Sequence, residues 1–299
     1  MLQKNIKINL IYQKGEIDMK LISFQIDNEK KVGLVTHDHA SIIDITKRTM
    51  NNNLKKIIEL NKIDELKQFE NEMGDYSFEE VKLLPVIINP QKIICAGVNY
   101  DEHRLETKKE VTTNPTIFFR VAQSQIAHND NILIPLESDR LDFEGEIAVV
   151  IGKEGRRISK DKAMEYIAGY SCYNDATIRD YQIHTSQWGP GKNFDATGAF
   201  GPWLVTKDEI ADDETLAIET RLNGEIMQKA DTTLLLFSIA ELISYVSKFT
   251  TLVAGDVIVT GTPGGVGAKR NPPVFMKEGD IVEVEVSKIG ILKNEVRKE

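Results

Sequence analysis

The segment 141–152, LDFEGEIAVVIG, carries the residue types best suited to chemistry. Alternate residues of a strand share a face, so Glu144 and Glu146 project together with Ala148 and Val150. Phe143, Ile147, Val149 and Ile151 project the other way. Beyond the glutamates both faces are apolar, the pattern of a strand covered on both sides. Two carboxylates on such a strand resist ionising together unless a cation neutralises them. Three carboxylates around one point suit a hard divalent ion, Mg2+ or Mn2+. Asp175, in GYSCYNDATIRDYQ, follows a strand-like run and is the third candidate ligand. Spacing alone leaves another possibility open, in which the glutamates end a strand in water and Asp175 is a turn residue. The chain has no Cys-x-x-Cys and no His-x-x-x-His among its five histidines, so zinc is not expected. The cluster GTPGGVG at 261–267 lacks both the Lys-Ser/Thr of a P-loop and the G-x-G-x-x-G order. It reads as a substrate-binding turn beside a buried strand, not as a nucleotide site.

The elements that must position these residues divide the chain. Residues 1–18 read as an N-terminal extension, because the clean strand pattern opens only at Met19. Residues 19–90 read as a small accessory α+β domain and linker: a β-meander, one or two amphipathic helices over 50–69, and an extended stretch with two prolines at 81–90. Residues 91–299 form the expected catalytic domain. Strand-like runs dominate it, interrupted by helix patterns at 160–167, after Ser159, and at 238–249, which opens on Ser238. Many strands with few, scattered helices predict an α+β layered β-sheet fold. A formal charge of −9 argues against nucleic-acid or anionic-membrane partners. No apolar run approaches the ~20 residues of a spanning helix. Two cysteines fit a reducing compartment, and with no secretory leader pattern the expected location is cytoplasmic.

Six blocks, GVNYDEHRLE, LDFEGEIAVVIG, GYSCYNDATIRDYQ, PGKNFDATGAFGPW, TRLNGEIMQ and LVAGDVIVTGTPGGVG, occur in an order that resembles the fumarylacetoacetate hydrolase family. The resemblance covers residue 91 to the C-terminus, and the part before it resembles the accessory domain of many bacterial members. It implies the family's β-roll/sandwich fold, a homodimer, and Glu144, Glu146 and Asp175 as ligands of Mg2+ or Mn2+. It further implies Lys192 facing the substrate, His103 and Glu106 as a water-activating dyad, and Thr262 holding the substrate's carboxylate. Physical reasons accompany these assignments. One helical turn puts His103 and Glu106 on one face, and a carboxylate beside an imidazole fixes its tautomer and makes it a better base. A cation at Lys192 can stabilise a developing enolate. Arg179 and Asp180 are read either as partners that orient ligands or, equally, as a structural Arg–Asp pair, and Gln182 as a further substrate contact.

One departure concerns specificity. Arg120 stands where many relatives carry lysine, with Gln125 and His128 also atypical, and Arg120 is expected to take a second substrate carboxylate or another planar acceptor group. The implied substrates are small 2-oxo or 1,3-dicarbonyl acids, acted on through a metal-stabilised enolate. Acylpyruvate-type C–C hydrolysis and oxaloacetate-type decarboxylation are favoured because both dyad residues are present. Isomerisation of hydroxymuconate-type diene acids is the alternative, and a catalytically idle metal-binding scaffold is the alternative of another class.

Overall fold

The computed structural model describes residues 19–299, so the expected extension 1–18 lies outside the described residues. A mixed sheet of twelve strands runs through the described residues. Its site-bearing strands are β1 (Lys20–Ile26), β2 (Ile93–Gly97), β3 (Thr116–Arg120), β4 (Gly145–Ile151), β5 (Ile167–Asp175), β6 (Gly198–Thr206) and β7 (Val257–Val259). They lie in the order β1-β6-β5-β4-β7-β2-β3, and Glu29–Val35, Ser41–Asp44 and Tyr76–Ser77 extend the sheet beyond β1. The proposed division at 90/91 therefore crosses a seam within one sheet, where β1 meets β6 through Lys20↔Val205 and Leu21↔Leu204. A second, five-stranded sheet (Glu225–Asp231, Ala217–Leu222, Ile281–Val286, Gly290–Lys298, Asn131–Ile134) packs against the first. This is the layered α+β architecture expected.

The alternation in β4 explains how the layers are held. Ile147, Val149 and Ile151 enter the core shared with the second sheet, while Ala148 and Val150 enter a core on the opposite face. Every residue of β4 is buried, and each large aliphatic side chain so covered contributes roughly 1.5–3 kcal/mol. Glu144 and Glu146 share parity with Ala148 and Val150, so they emerge at the end of that second core. Helix α1 (Asp101–Glu106) follows β2, and α2 (Ile239–Phe249) lays Leu242, Ile243 and Val246 on the first core. The expected Ser238 cap is a full capping box with Glu241. The 160–167 helix is instead a 3-10 segment, Lys160–Tyr166, and Ser159 makes no side-chain cap bond. No helix among the described residues is long and apolar enough to cross a membrane.

His128 lies in the seam between the sheets, not beside the carboxylates. Its Nδ1 accepts from the Lys293 N–H at 3.1 Å, which requires the neutral ring. Burial, then the Lys293 charge, push its pKa down to about 4. The unfolded chain takes up this proton near pH 6.5 and the folded chain only near pH 4, so stability falls as pH drops through that window. The residue as a whole is partly exposed, which reduces the effect to about 1 kcal/mol at pH 5. Urea melts at pH 7.5 and 5 should show this loss in the wild type and a smaller one in His128→Asn; equal losses would exclude His128 as the source.

Candidate metal centre and proton-transfer site

Antiparallel pairing of β4 with β5 assembles the carboxylates. Gly145 sits opposite Asn174, so Glu144 comes opposite Asp175, and the Asp175 N–H donates to the Glu144 carbonyl at 2.8 Å. Asn174 Oδ1 in turn accepts from the Glu144 N–H. Residues opposite one another and two apart on one strand are same-face neighbours. Carboxylate oxygens of Glu144, Glu146 and Asp175 accordingly lie within 4.8 Å of one another, all three residues buried.

Cations grip two of the three. Lys192 Nζ lies 2.6 Å from both Glu144 Oε2 and Asp175 Oδ2. Arg179 Nη1 holds Glu144 Oε1 at 2.6 Å, and Arg120 Nη1 holds Asp175 Oδ1 at 2.5 Å. Burial alone would raise the pKa of Glu144, but Lys192, Arg179 and His103 together hold it at about 2. Glu146 differs. Its Oε2 accepts from the Gly261 N–H at 2.5 Å, and burial, then the charges of Asp175 and Glu144, push its pKa well up. Gly261 has φ +103, and a Cβ there would meet Asn99 Cβ at 2.6 Å, so glycine is required to aim this N–H.

This donor set fits a divalent hard cation. With Asp142, four buried carboxylates face three cationic side chains, and Glu146 is the carboxylate that no ion pair among the described residues serves. All the donors are oxygens, as Mg2+ or Mn2+ prefers. Cys95 is close enough to feel the cluster, but burial raises its thiol pKa and leaves it inert.

The predicted dyad forms on α1. His103 Nδ1 donates to Glu106 Oε1 at 2.6 Å, which leaves Nε2 as the free basic nitrogen. Glu106 Oε2 accepts from the Gly265 N–H at 2.9 Å, so the glycine turn carries both Glu106 and Glu146 on its backbone donors. His103 is buried, and its charge would be felt at Glu144.

Three expected substrate contacts sit differently. Arg120 is not available to a second carboxylate: its side chain is fully buried and every guanidinium nitrogen has a protein acceptor. The Thr262 hydroxyl donates to the Gly145 carbonyl at 3.0 Å and accepts from Gln228 at 2.7 Å. Its only proton is thus committed, and any hold on a substrate carboxylate falls to the backbone. Gln182 stands partly exposed beside Arg179, which donates to its Oε1 at 3.0 Å. Arg179 bridges Glu144 and Asp142, whereas Asp180 does not pair with it and binds Ser138 instead.

Two supporting residues escaped the sequence reading. Asp142 accepts from Phe143, Gly267 and Ala268 N–H and from Arg179. It shares parity with Glu144 and Glu146, a signal that was present in LDFEGE. Gln228 joins Gly145, Thr262 and the Pro263 carbonyl, and its hairpin context in TRLNGEIMQ offers no sign of burial.

The family described as fumarylacetoacetate (FAA) hydrolase C-terminal matches residues 92–297. An oxaloacetate tautomerase of Xenopus laevis is 38% identical over 295 residues, covering 96% of this chain and 92% of the relative. The solved fumarylacetoacetate hydrolase of Exiguobacterium antarcticum is 32% identical with a TM-score of 0.81, covering 94% of this chain and all of that one. A maleylpyruvate hydrolase of Sphingobium, solved with manganese(II) and pyruvate, is 26% identical with a TM-score of 0.78, covering 94% and 99%. The cytoplasmic expectation is overturned: the similar proteins of Xenopus laevis, Bos taurus and Homo sapiens are named as mitochondrial. Cysteine usage does not distinguish the cytoplasm from other compartments. By sequence and by fold, the chain belongs to the fumarylacetoacetate hydrolase family.

Proposed function

We propose that this chain is a divalent-metal-dependent enzyme that interconverts the keto and enol forms of a small 2-oxo diacid, oxaloacetate being the substrate tested first. The observation that carries the reading is that one glycine turn holds both Glu106, partner of His103, and Glu146 of the buried Glu144, Glu146, Asp175 and Lys192 cluster, with His103 near enough for its charge to act on Glu144. The choice of tautomerisation within the family's chemistry rests on similarity to an oxaloacetate tautomerase over nearly the whole of both chains. Glu144, Glu146 and Asp175 would hold Mg2+ or Mn2+, which supplies Lewis-acid polarisation of a keto oxygen.

The remaining work belongs to side chains. With Nδ1–H fixed on Glu106, His103 Nε2 takes a proton from the carbon beside the keto group and returns it to the keto oxygen. One C–H bond breaks, one O–H bond forms, and no water is consumed. Glu106 stabilises the imidazolium in between and keeps the tautomer. Lys192 contributes positive charge near the oxygen where negative charge gathers, covered by the Phe118 ring at 5.1 Å.

The same Nε2 could take its proton from water, which keeps C–C hydrolysis as the second reading. The assay follows decay of the enol absorbance of oxaloacetate and, in parallel, pyruvate release from oxaloacetate and acetylpyruvate, on metal-free protein with and without Mn2+ or Mg2+. Metal-dependent acceleration of the enol decay without matching pyruvate is expected. Pyruvate formed faster than the enol decays would overturn tautomerisation in favour of C–C cleavage.

A further inference from the structure

The cluster is a chain of alternating charges, Arg179–Glu144–Lys192–Asp175–Arg120, in which each carboxylate is gripped on both oxygens. Lys192 is the shared middle link, and the two arginines are the ends. What fixes the Arg179 end is Asp142. The Arg120 end is fixed without any second carboxylate.

Arg120 closes β3 and enters from the buried side. Nη1 donates to Asp175 Oδ1 at 2.5 Å and to the Ala176 carbonyl at 3.2 Å. Nη2 donates to Thr197 Oγ1 at 2.7 Å, and Nε to Ser124 Oγ at 3.2 Å. Both hydroxyls are already oriented to receive it, since Thr197 donates its own proton to the Phe194 carbonyl and Ser124 donates its proton to the Val121 carbonyl. Room for the guanidinium is provided by Gly198, the register partner of Asp175. A Cβ there would come within 3.0 Å of Arg120 Nε and Nη2 and 2.6 Å of the Tyr173 hydroxyl.

We propose that Arg120 is a positioning residue of the metal centre: anchored by Thr197 and Ser124, it sets the rotation of the Asp175 carboxylate and thereby the affinity of the site for a divalent ion. The proposal rests on the reading that Glu144, Glu146 and Asp175 hold the metal. Among this chain's own neighbours a lysine would not do the same work: its ammonium is one point, without the fork that reaches Asp175, Thr197 and Ser124 together, and the carboxylate would be freer to swing toward Lys192.

The test is Mn2+ titration of metal-free protein, reading free Mn2+ by electron paramagnetic resonance, for wild type, Asp175→Asn, Arg120→Lys and Thr197→Val. Melting temperatures with and without Mn2+, and KM for oxaloacetate at saturating Mn2+, are measured alongside. Arg120→Lys should bind Mn2+ about 10–100-fold more weakly, with a smaller Mn2+-induced rise in Tm and a KM within threefold of wild type. Thr197→Val keeps the charge and loosens its anchor, so it should weaken Mn2+ binding in the same direction and covers the case in which Arg120→Lys does not fold. Unchanged Mn2+ affinity with a raised KM would make Arg120 a substrate contact and overturn the proposal. A lowered metal-free Tm with unchanged Mn2+ affinity would make it structural only, which also overturns it. Asp175→Asn separates the two levels: if it binds Mn2+ like the wild type, the ligand assignment itself fails.

Discussion

Glu146→Gln is expected to abolish metal-dependent turnover while raising the stability of the metal-free protein. The two effects have one cause. Glu146 is buried, its pKa is pushed up by burial and by Asp175 and Glu144, and among the described residues a backbone N–H, that of Gly261, rather than a cation is what its carboxylate meets. Near neutral pH the ionised form is therefore strained against its surroundings, and in the metal-free protein stability should rise as pH falls from the raised folded value toward the usual carboxylate range. Glutamine keeps the shape and an acceptor for Gly261 but removes the charge, which should stabilise the fold by about 1–3 kcal/mol, or a few degrees in Tm. The same charge is what a cation needs. Losing one of three anionic ligands should weaken Mn2+ binding at least ~100-fold, and the loss of several kcal/mol of transition-state stabilisation should lower the rate ~1000-fold or more. Calorimetric melting and Mn2+ binding on the same preparation check both effects. Unchanged Mn2+ affinity would remove Glu146 from the centre, and a lower metal-free Tm would show that its carboxylate is stabilised by the fold after all.

How far these properties were legible depends on whether they are local. The parity of Glu144 and Glu146 follows from strand geometry and needs no knowledge of the fold. The pairing of His103 with Glu106 is equally local, because residues three apart on one helical turn meet, although it was the resemblance that picked it out of the charged run DEHRLETKKE. Asp175 is a different case: its position after a strand-like run made it a candidate, but its place opposite Glu144 is a matter of register between β4 and β5, which spacing alone left open and the order of blocks resembling the family favoured. Arg120 shows where sequence reasoning stops. An arginine near a substrate site invites assignment to the substrate, yet which way it faces is decided by Thr197, Ser124 and the missing side chain of Gly198, more than seventy residues away in two cases. Gln228 and His128 were out of reach for the same reason, since burial between the sheets depends on the packing of strands distant in sequence. Asp142 needed only one more step of the alternation already applied to the glutamates.

His103→Ala is expected to lower the rate of enol–keto conversion by about 100- to 10,000-fold while leaving Mn2+ affinity within threefold of wild type. His103 holds no metal-facing oxygen. Its contribution is the proton, taken at Nε2 because Glu106 occupies Nδ1. Glu106→Gln makes the argument sharper. Glu106 accepts from two donors, His103 Nδ1–H on Oε1 and the Gly265 N–H on Oε2. A glutamine has one acceptor oxygen, so it must either turn its NH2 toward Gly265, releasing α1 from the glycine turn, or turn it toward His103, forcing the proton onto Nε2 and blocking the base. Both arrangements cost activity, and only the first loosens the helix. Amide hydrogen exchange at Gly265 distinguishes them: faster exchange marks a released turn, while protection with a lost basic limb in the pH–rate profile marks the wrong tautomer. If Glu106→Gln and His103→Ala both left the rate within threefold of wild type, the dyad would carry no proton in this reaction, and the base would have to be sought among the groups around Lys192.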